Sequence, residues 1–238
     1  VAMAIDARAC ETFVGSLGAD APVVYLVDAP EFPHGVAELA AGRRVTLVGV
    51  PIANWDDALT PWPAPGLREG DAGFGGGGPA TVGELLGEVV PGVEARASLS
   101  PTKRAICGYS LGGLFALYAM LVGVGAGGDA GGGVSARASL GACACVSGSL
   151  WYEGWVDWLR GQAAEGRGRM AYLSLGSKER RWGPPAVRRV QECMEESAEL
   201  LRGWGFEVDL RMGPGNHLQH QAERLGLALD VLEEFLLR

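Results

Sequence analysis

The sequence predicts an α/β fold with a doubly wound, mostly parallel sheet, on three observations. Short apolar runs rich in Val, Ile and Leu recur along the chain, as in PVVYLVDA and RRVTLVGV, and strands covered on both faces read this way. Helical patterns alternate with these runs. With 238 residues, 48% of them apolar and 20% charged, the chain is large enough to bury one sizeable core. A single domain over residues 1–238, with no linker and no internal repeat, is the expected organisation.

The strands expected are Pro22–Ala29, Arg43–Val50, Lys103–Tyr109, and the runs RASLGACACVSG, MAYLSLG and FEVDLRMG. A short helix fits GVAELAAG, and TVGELLGEVVPGVEAR is amphipathic. Pro185–Trp204 reads as one helix, because its leading prolines suit a first turn. A last helix over Gln219–Leu237 puts Leu225, Leu229, Leu232 and Leu236 on one stripe. Two glycine tracts, Gly73–Pro79 and Gly123–Ala136, are expected to be flexible loops. Neither sits directly between a strand and a helix, as a phosphate cradle requires.

Composition narrows the partners. The net charge is −8 and nothing basic is concentrated enough to suggest nucleic acid or an anionic membrane surface as a partner. No run has the apolar length of a membrane span, and VAMAIDARACETF lacks a basic leader followed by a long apolar core. A cytoplasmic location away from the membrane is therefore expected. The five cysteines form no metal-binding spacing, and Cys143 and Cys145 share one face of an expected strand as small buried residues. No metal and no cofactor are expected.

The stretch ICGYSLGGLFALYAM carries the chemistry. G-x-S-x-G is a weak signal in a chain with 38 glycines, so its context decides. Here a strand ends at Ser110 and a helix begins directly after it, with Gly108 and Gly112 leaving room for a sharp turn. Such a turn lifts the hydroxyl to the carboxyl edge of the sheet, where open α/β sheets bind ligands. The Leu111 N–H then opens a helix and can stabilise an oxyanion. Ser110 is the candidate nucleophile, in preference to a simple helix cap.

The chain has three histidines. His217, in GPGNHLQH after the last strand, stands where hydrolases of this kind place the base. His220 reads as the first turn of the following helix, and His34 as a solvated loop residue or a pocket wall. Glu179 follows the fifth strand, the usual place of the acid; Glu153 and Asp157, after the fourth strand, are the alternatives.

With these residues in view, the sequence resembles the putative-esterase family of the α/β-hydrolase superfamily. That family includes esterase D-like enzymes, siderophore esterases and mycolyltransferases. The resemblance runs through PVVYLVDAP, LTPW, GYSLGGLFALYAML, SGSLWY, LSLGSKE and GNHLQH, nearly everything after Ala21. It implies an α/β-hydrolase fold with a shortened N-terminus, and a serine carboxylesterase acting on a small-molecule ester. Ser110, His217 and Glu179 would be catalytic. Leu111 would supply half the oxyanion hole and Ala29 or else Glu31 the other half, because Pro30, the closest match for that donor, has no N–H. An acyltransferase using the same acyl-enzyme and a non-catalytic binding protein on the same fold are the alternatives. The family's strand order would leave RRVTLVGV at an edge, to be covered by N-terminal residues or by a partner subunit in a homo-oligomer.

Trp55, Trp62, Trp151, Trp155 and Trp182 all follow strand carboxyl ends. Trp62, Trp151 and Trp182 are the candidate walls of a substrate pocket. They favour an uncharged or aromatic acyl group, and the net charge would not steer a strongly anionic ester; Arg180 and Arg181 could help one locally.

Overall fold

Residues 3–29, 34–125, 139–181 and 183–238 are described by the computed structural model. Nine strands are seen among them: β1 (Glu11–Phe13), β2 (Val23–Asp28), β3 (Thr46–Pro51), β4 (Pro63–Ala64), β5 (Phe74–Gly75), β6 (Arg104–Tyr109), β7 (Ala142–Val146), β8 (Met170–Gly176) and β9 (Glu207–Gly213). Seven form one sheet in the order β1-β3-β2-β6-β7-β8-β9. All its neighbours run parallel except β1, which is antiparallel to β3. Strands β2, β7 and β8 are buried along their whole length, which is why they read as unbroken apolar runs.

The helices are α1 (Val36–Ala40), α2 (Trp55–Ala58), α3 (Gly78–Glu84), α4 (Val90–Arg96), α5 (Leu111–Gly125), α6 (Trp155–Arg160), α7 (Pro185–Arg188), α8 (Val190–Gly203) and α9 (Gln221–Leu236). Helices α5 and α8 cover one face of the sheet, and α1 and α9 the other. Cys143 and Cys145 pack into the first core with Phe115 and Met194. Cys107 packs into the second with Leu225, Leu229, Leu232 and Leu236. Burial pushes the Cys107 thiol up to about 12 and Cys143 well above its ordinary value, so these are packing residues. No helix among the described residues is long and apolar enough to cross a membrane.

β3 has its outer edge covered, as expected, and the cover comes from within the chain. Glu11, Thr12 and Phe13 pair with Gly49, Val48 and Leu47. An isolated bridge joins Ile5 to Ile52. The Glu84 carboxylate fixes the approach by accepting from the Ala4 and Ile5 amides at 3.0 and 2.8 Å.

Two expectations need correcting. The tract Gly73–Pro79 is not a free loop: Phe74 and Gly75 pair with Ala64 and Pro63, and α3 starts at Gly78. Its glycines allow close backbone approach, since a β-carbon on Gly76 would collide with Trp62 and Pro63. Pro185–Trp204 is two helices, because the Arg189 amide turns back to the Ala186 carbonyl in a tight i−3 bond (3.2 Å) and the axis restarts at Val190. The helix ahead of β6 carries a π turn at Leu85–Val89. Pro91 has no N–H for the Gly87 carbonyl, and the wider turn absorbs the missing bond. Of the second glycine tract, residues 126–136 lie outside the described residues.

Candidate active site

The sheet order places the site. The chain leaves β2 toward β3 and then crosses back to β6, so the strand order reverses between β2 and β6; open α/β sheets bind ligands at such a point. Ser110 stands at the carboxyl end of β6 with φ +58°, a backbone conformation that costs a non-glycine residue about 1–2 kcal/mol. Its neighbours impose it. The Ser110 amide donates to the Val146 carbonyl at 3.0 Å, and its own carbonyl accepts from Gly113, Leu114 and Ser149 at 3.0–3.1 Å. A β-carbon on Gly112 would press on Val27 and Trp55, so glycine there lets α5 pack against the strand. Leu111 is the first residue of α5, and its N–H has no carbonyl a turn back within the helix.

His217 reaches this hydroxyl from the loop between β9 and α9. Its Nε2 is 3.0 Å from Ser110 Oγ, and its Nδ1 is 2.8 Å from Glu179 Oε2. A carboxylate only accepts, so Nδ1 carries the proton and Nε2 is left to accept from Ser110. The loop is held at several points: Asn216 Oδ1 accepts from Leu218 N at 3.0 Å, the Asn216 amide donates to Gln219 Oε1 at 3.1 Å, and Tyr109 donates its hydroxyl to the His217 carbonyl at 2.6 Å. Burial pushes the Tyr109 phenol up, keeping it a donor.

Glu179 opens a short turn after β8 and is only 3% exposed. Its Oε1 accepts from the Gly176 amide at 2.7 Å, the Ser147 hydroxyl at 2.8 Å and Arg224 Nη1 at 2.9 Å. Burial pushes the carboxyl up, but the hydrogen bond and charge of His217, with the Gly176 and Ser147 bonds, outweigh it and hold the group below its ordinary value. Ser147 itself has φ +45°, so two strained serines flank the site.

The remaining candidates fall differently. Glu153 and Asp157 are exposed, and Asp157 pairs with Arg160 at 2.7 Å; neither contacts His217. His220 caps α9 with φ +60° and pairs with Glu223 at 2.7 Å. His34 is not solvated: its Nδ1 lies 2.7 Å from Asp28 Oδ1, and its ring packs 5.7 Å from that of Tyr109. Arg180 and Arg181 are exposed. Ala29 is buried directly after β2, while Pro30 and Glu31 lie outside the described residues.

Ser110 sits between two depressions. One, of about 410 Å³, is lined by Leu67, Trp151, Pro184, Val187, Val190 and His217. The other, of about 470 Å³, is lined by Trp55, Asp56, Asp71, Phe74, Leu111 and Trp151. Of the three candidate wall tryptophans, Trp151 lines both. Trp62 lines neither: its Nε1 donates to the Glu153 carbonyl at 2.8 Å and its ring packs on Tyr152 and Trp158. Trp182 lies outside the described residues. Trp155 is fully buried, with Nε1 on Ser197 Oγ at 3.1 Å, so it belongs to the core.

Sequence reasoning missed Arg224, Ser147, Tyr109 and Ser149. Ser149 Oγ stands 3.4 Å from Ser110 Oγ, and its residue is 2% exposed. Arg224 did leave a trace: it precedes Ala228 and Leu232 by four and eight residues, on the buried stripe of α9.

Comparison with known proteins agrees with this architecture. Residues 16–125 match the family model described as "Putative esterase", a span that includes Ser110 and Leu111 but neither Glu179 nor His217. The chain is 25% identical over 225 residues to the uncharacterized protein YbbA of Bacillus subtilis (strain 168), covering 89% of this chain and 85% of that one. Among solved structures it resembles an IroE-like serine hydrolase from Shewanella oneidensis (TM-score 0.69, 17% identity, 94% of this chain and 74% of that one). It also resembles the siderophore hydrolase EstA from Aspergillus nidulans (TM-score 0.67, 18% identity, 99% and 96%). The fold is that of the α/β-hydrolases.

Proposed function

We propose that the protein is a serine hydrolase that cleaves a small-molecule carboxylic ester through an acyl-enzyme on Ser110. The observation that carries this reading is the line Ser110 Oγ, His217 Nε2, His217 Nδ1, Glu179 Oε2, with contacts of 3.0 and 2.8 Å, at a strained strand-to-helix turn. In the first half-reaction His217 Nε2 takes the Ser110 proton as Oγ attacks the ester carbonyl. The tetrahedral oxyanion is met by the Leu111 N–H, with Ala29 N–H as the second donor, and His217 returns the proton to the departing alkoxide. In the second, water replaces the alcohol: His217 deprotonates it, the carboxylic acid leaves, and Ser110 regains its proton. Glu179 keeps the imidazole oriented and stabilises its cation. The family match over residues 16–125 supports the ester as substrate class.

The cleft favours an uncharged apolar or aromatic acyl group. Its walls are Leu67, Val187, Val190, Trp151 and Phe74, and its rim carries Asp56 and Asp71 against one arginine, Arg68. One of the similar structures is named a siderophore hydrolase. A strongly anionic ester would meet a like-charged rim here.

The test is labelling with a fluorophosphonate and peptide mapping, alongside hydrolysis of short p-nitrophenyl esters with chelator present. The peptide bearing Ser110 should be modified, and Ser110→Ala should lose both label and turnover while remaining folded. Label retained in Ser110→Ala would overturn the assignment, and a folded wild-type protein with neither label nor turnover would favour the binding-protein alternative.

A further inference from the structure

Arg224 is 6% exposed and projects from the first turn of α9 to the underside of the site. Nη1 donates to Ser147 Oγ at 2.7 Å, to Glu179 Oε1 at 2.9 Å and to the Tyr109 hydroxyl at 3.1 Å. Nη2 donates to the carbonyls of Pro214 and Asn216 at 2.7 and 3.1 Å. One guanidinium thus touches the carboxylate that faces His217, two hydroxyls around it, and the backbone just before His217. A β-carbon on Gly176 would collide with Nη2, so β8 ends in a glycine where the fork passes.

We infer that Arg224 is a positioning residue for the reaction: it clamps the Glu179 carboxylate and the His217 loop to each other, and its charge keeps that carboxylate ionised in a buried place. This rests on the proposed function above. The planar fork suits the task, since its donors diverge at fixed angles and reach acceptors on both sides at once. A lysine ammonium would supply the charge but not the span.

The electrostatics follow from what surrounds Glu179. His217 faces it from the loop after β9, Arg224 from α9, Ser147 from the end of β7 and the Tyr109 phenol from the end of β6. Lys178, Arg180 and Arg181 on its own turn are exposed. Beyond Tyr109 lies the His34–Asp28 pair. Arg224 is therefore a buried permanent cation on this carboxylate, 2.9 Å from Oε1, and it adds to the His217, Gly176 and Ser147 contacts that favour the ionised form. Removing the guanidinium takes a positive charge away from beside this carboxylate and so disfavours its ionised form.

Steady-state kinetics on a p-nitrophenyl ester across pH 5–9 test the inference, with Arg224→Met, Arg224→Gln and Arg224→Lys compared with wild type. The uncharged variants should lose about 10- to 100-fold in kcat with little change in KM. The acid limb of their kcat/KM profile should move up by about one pH unit. Arg224→Lys should keep the wild-type limb and still lose about tenfold in kcat, because the clamp is broken while the charge remains. An unshifted limb in whichever uncharged variant folds, or full kcat in Arg224→Lys, overturns the inference. A folded wild-type protein that neither turns over nor takes a fluorophosphonate overturns the functional reading beneath it. Active wild type with unaffected Arg224 variants sinks this inference alone.

Discussion

The backbone of Gly112 leaves no room for a β-carbon on Gly108, which would run into the Gly112 carbonyl. The strand that delivers Ser110 and the helix that leaves it are in contact at that point. Any side chain at 108 must push α5 off β6 and take the elbow with it.

Gly108→Ala should therefore disable the site without touching its functional groups. Forcing one methyl against packed backbone costs about 1–3 kcal/mol, and the displacement of Ser110 relative to His217 adds a loss of turnover. Urea denaturation and fluorophosphonate labelling on one sample measure both. Wild-type labelling rate in a folded Gly108→Ala protein would show that the contact is not needed.

Ser110 at φ +58° stores strain for the sake of its position. Glycine adopts that conformation freely. Ser110→Gly should thus be more stable than Ser110→Ala by about 1 kcal/mol, and neither variant should turn over an ester. Equal denaturation midpoints for the two would mean that the turn is not strained.

The strands were legible because burial on both faces writes itself as an apolar run, and β2, β7 and β8 are buried from end to end. Ser110, His217 and Glu179 were nameable because each stands just after a strand, where chain order alone is informative. Arg224 was not, since its five acceptors come from four places distant in sequence and only three-dimensional proximity gathers them. Trp62 misled for the same reason: its position after a strand is shared with Trp151, but its indole N–H is taken up by Glu153. The tract Gly73–Pro79 hid a strand because composition reports the absence of side chains and says nothing of the backbone that approaches in their place. The break at Arg189 hid because the amphipathic pattern continues across it.

The ionised state of Glu179 contributes to stability, with a sign that can be tested. Its carboxyl is held below its ordinary value, burial notwithstanding. The unfolded chain therefore binds this proton more readily than the folded one. The contribution is fully present above the unfolded value of about 4.3 and is lost as pH falls through the lower folded value. The difference in unfolding free energy between wild type and Glu179→Gln should shrink between about pH 5 and pH 3. Urea titrations at half-unit steps would measure it, and parallel curves over that window would contradict it.

Whether the acid acts in the chemistry is a separate matter, and kinetics decide it. Glu179 Oε2 lies 2.8 Å from His217 Nδ1, so in the proposed mechanism it would face the imidazolium of the transition state. Glu179→Gln keeps the shape and removes the charge, and its amide can turn an N–H toward Nδ1, favouring the wrong tautomer. It should lower kcat by two or more orders of magnitude, about 3 kcal/mol of transition-state stabilisation, with little change in KM. Glu153→Gln and Asp157→Asn, both exposed and remote from His217, should change kcat by less than about tenfold. A Glu179→Gln protein with near-normal kcat beside an inactive His217→Ala would reduce the site to a serine–histidine dyad. A crippled Asp157→Asn would require the loop after β7 to rearrange in the working enzyme and would take the acid away from Glu179.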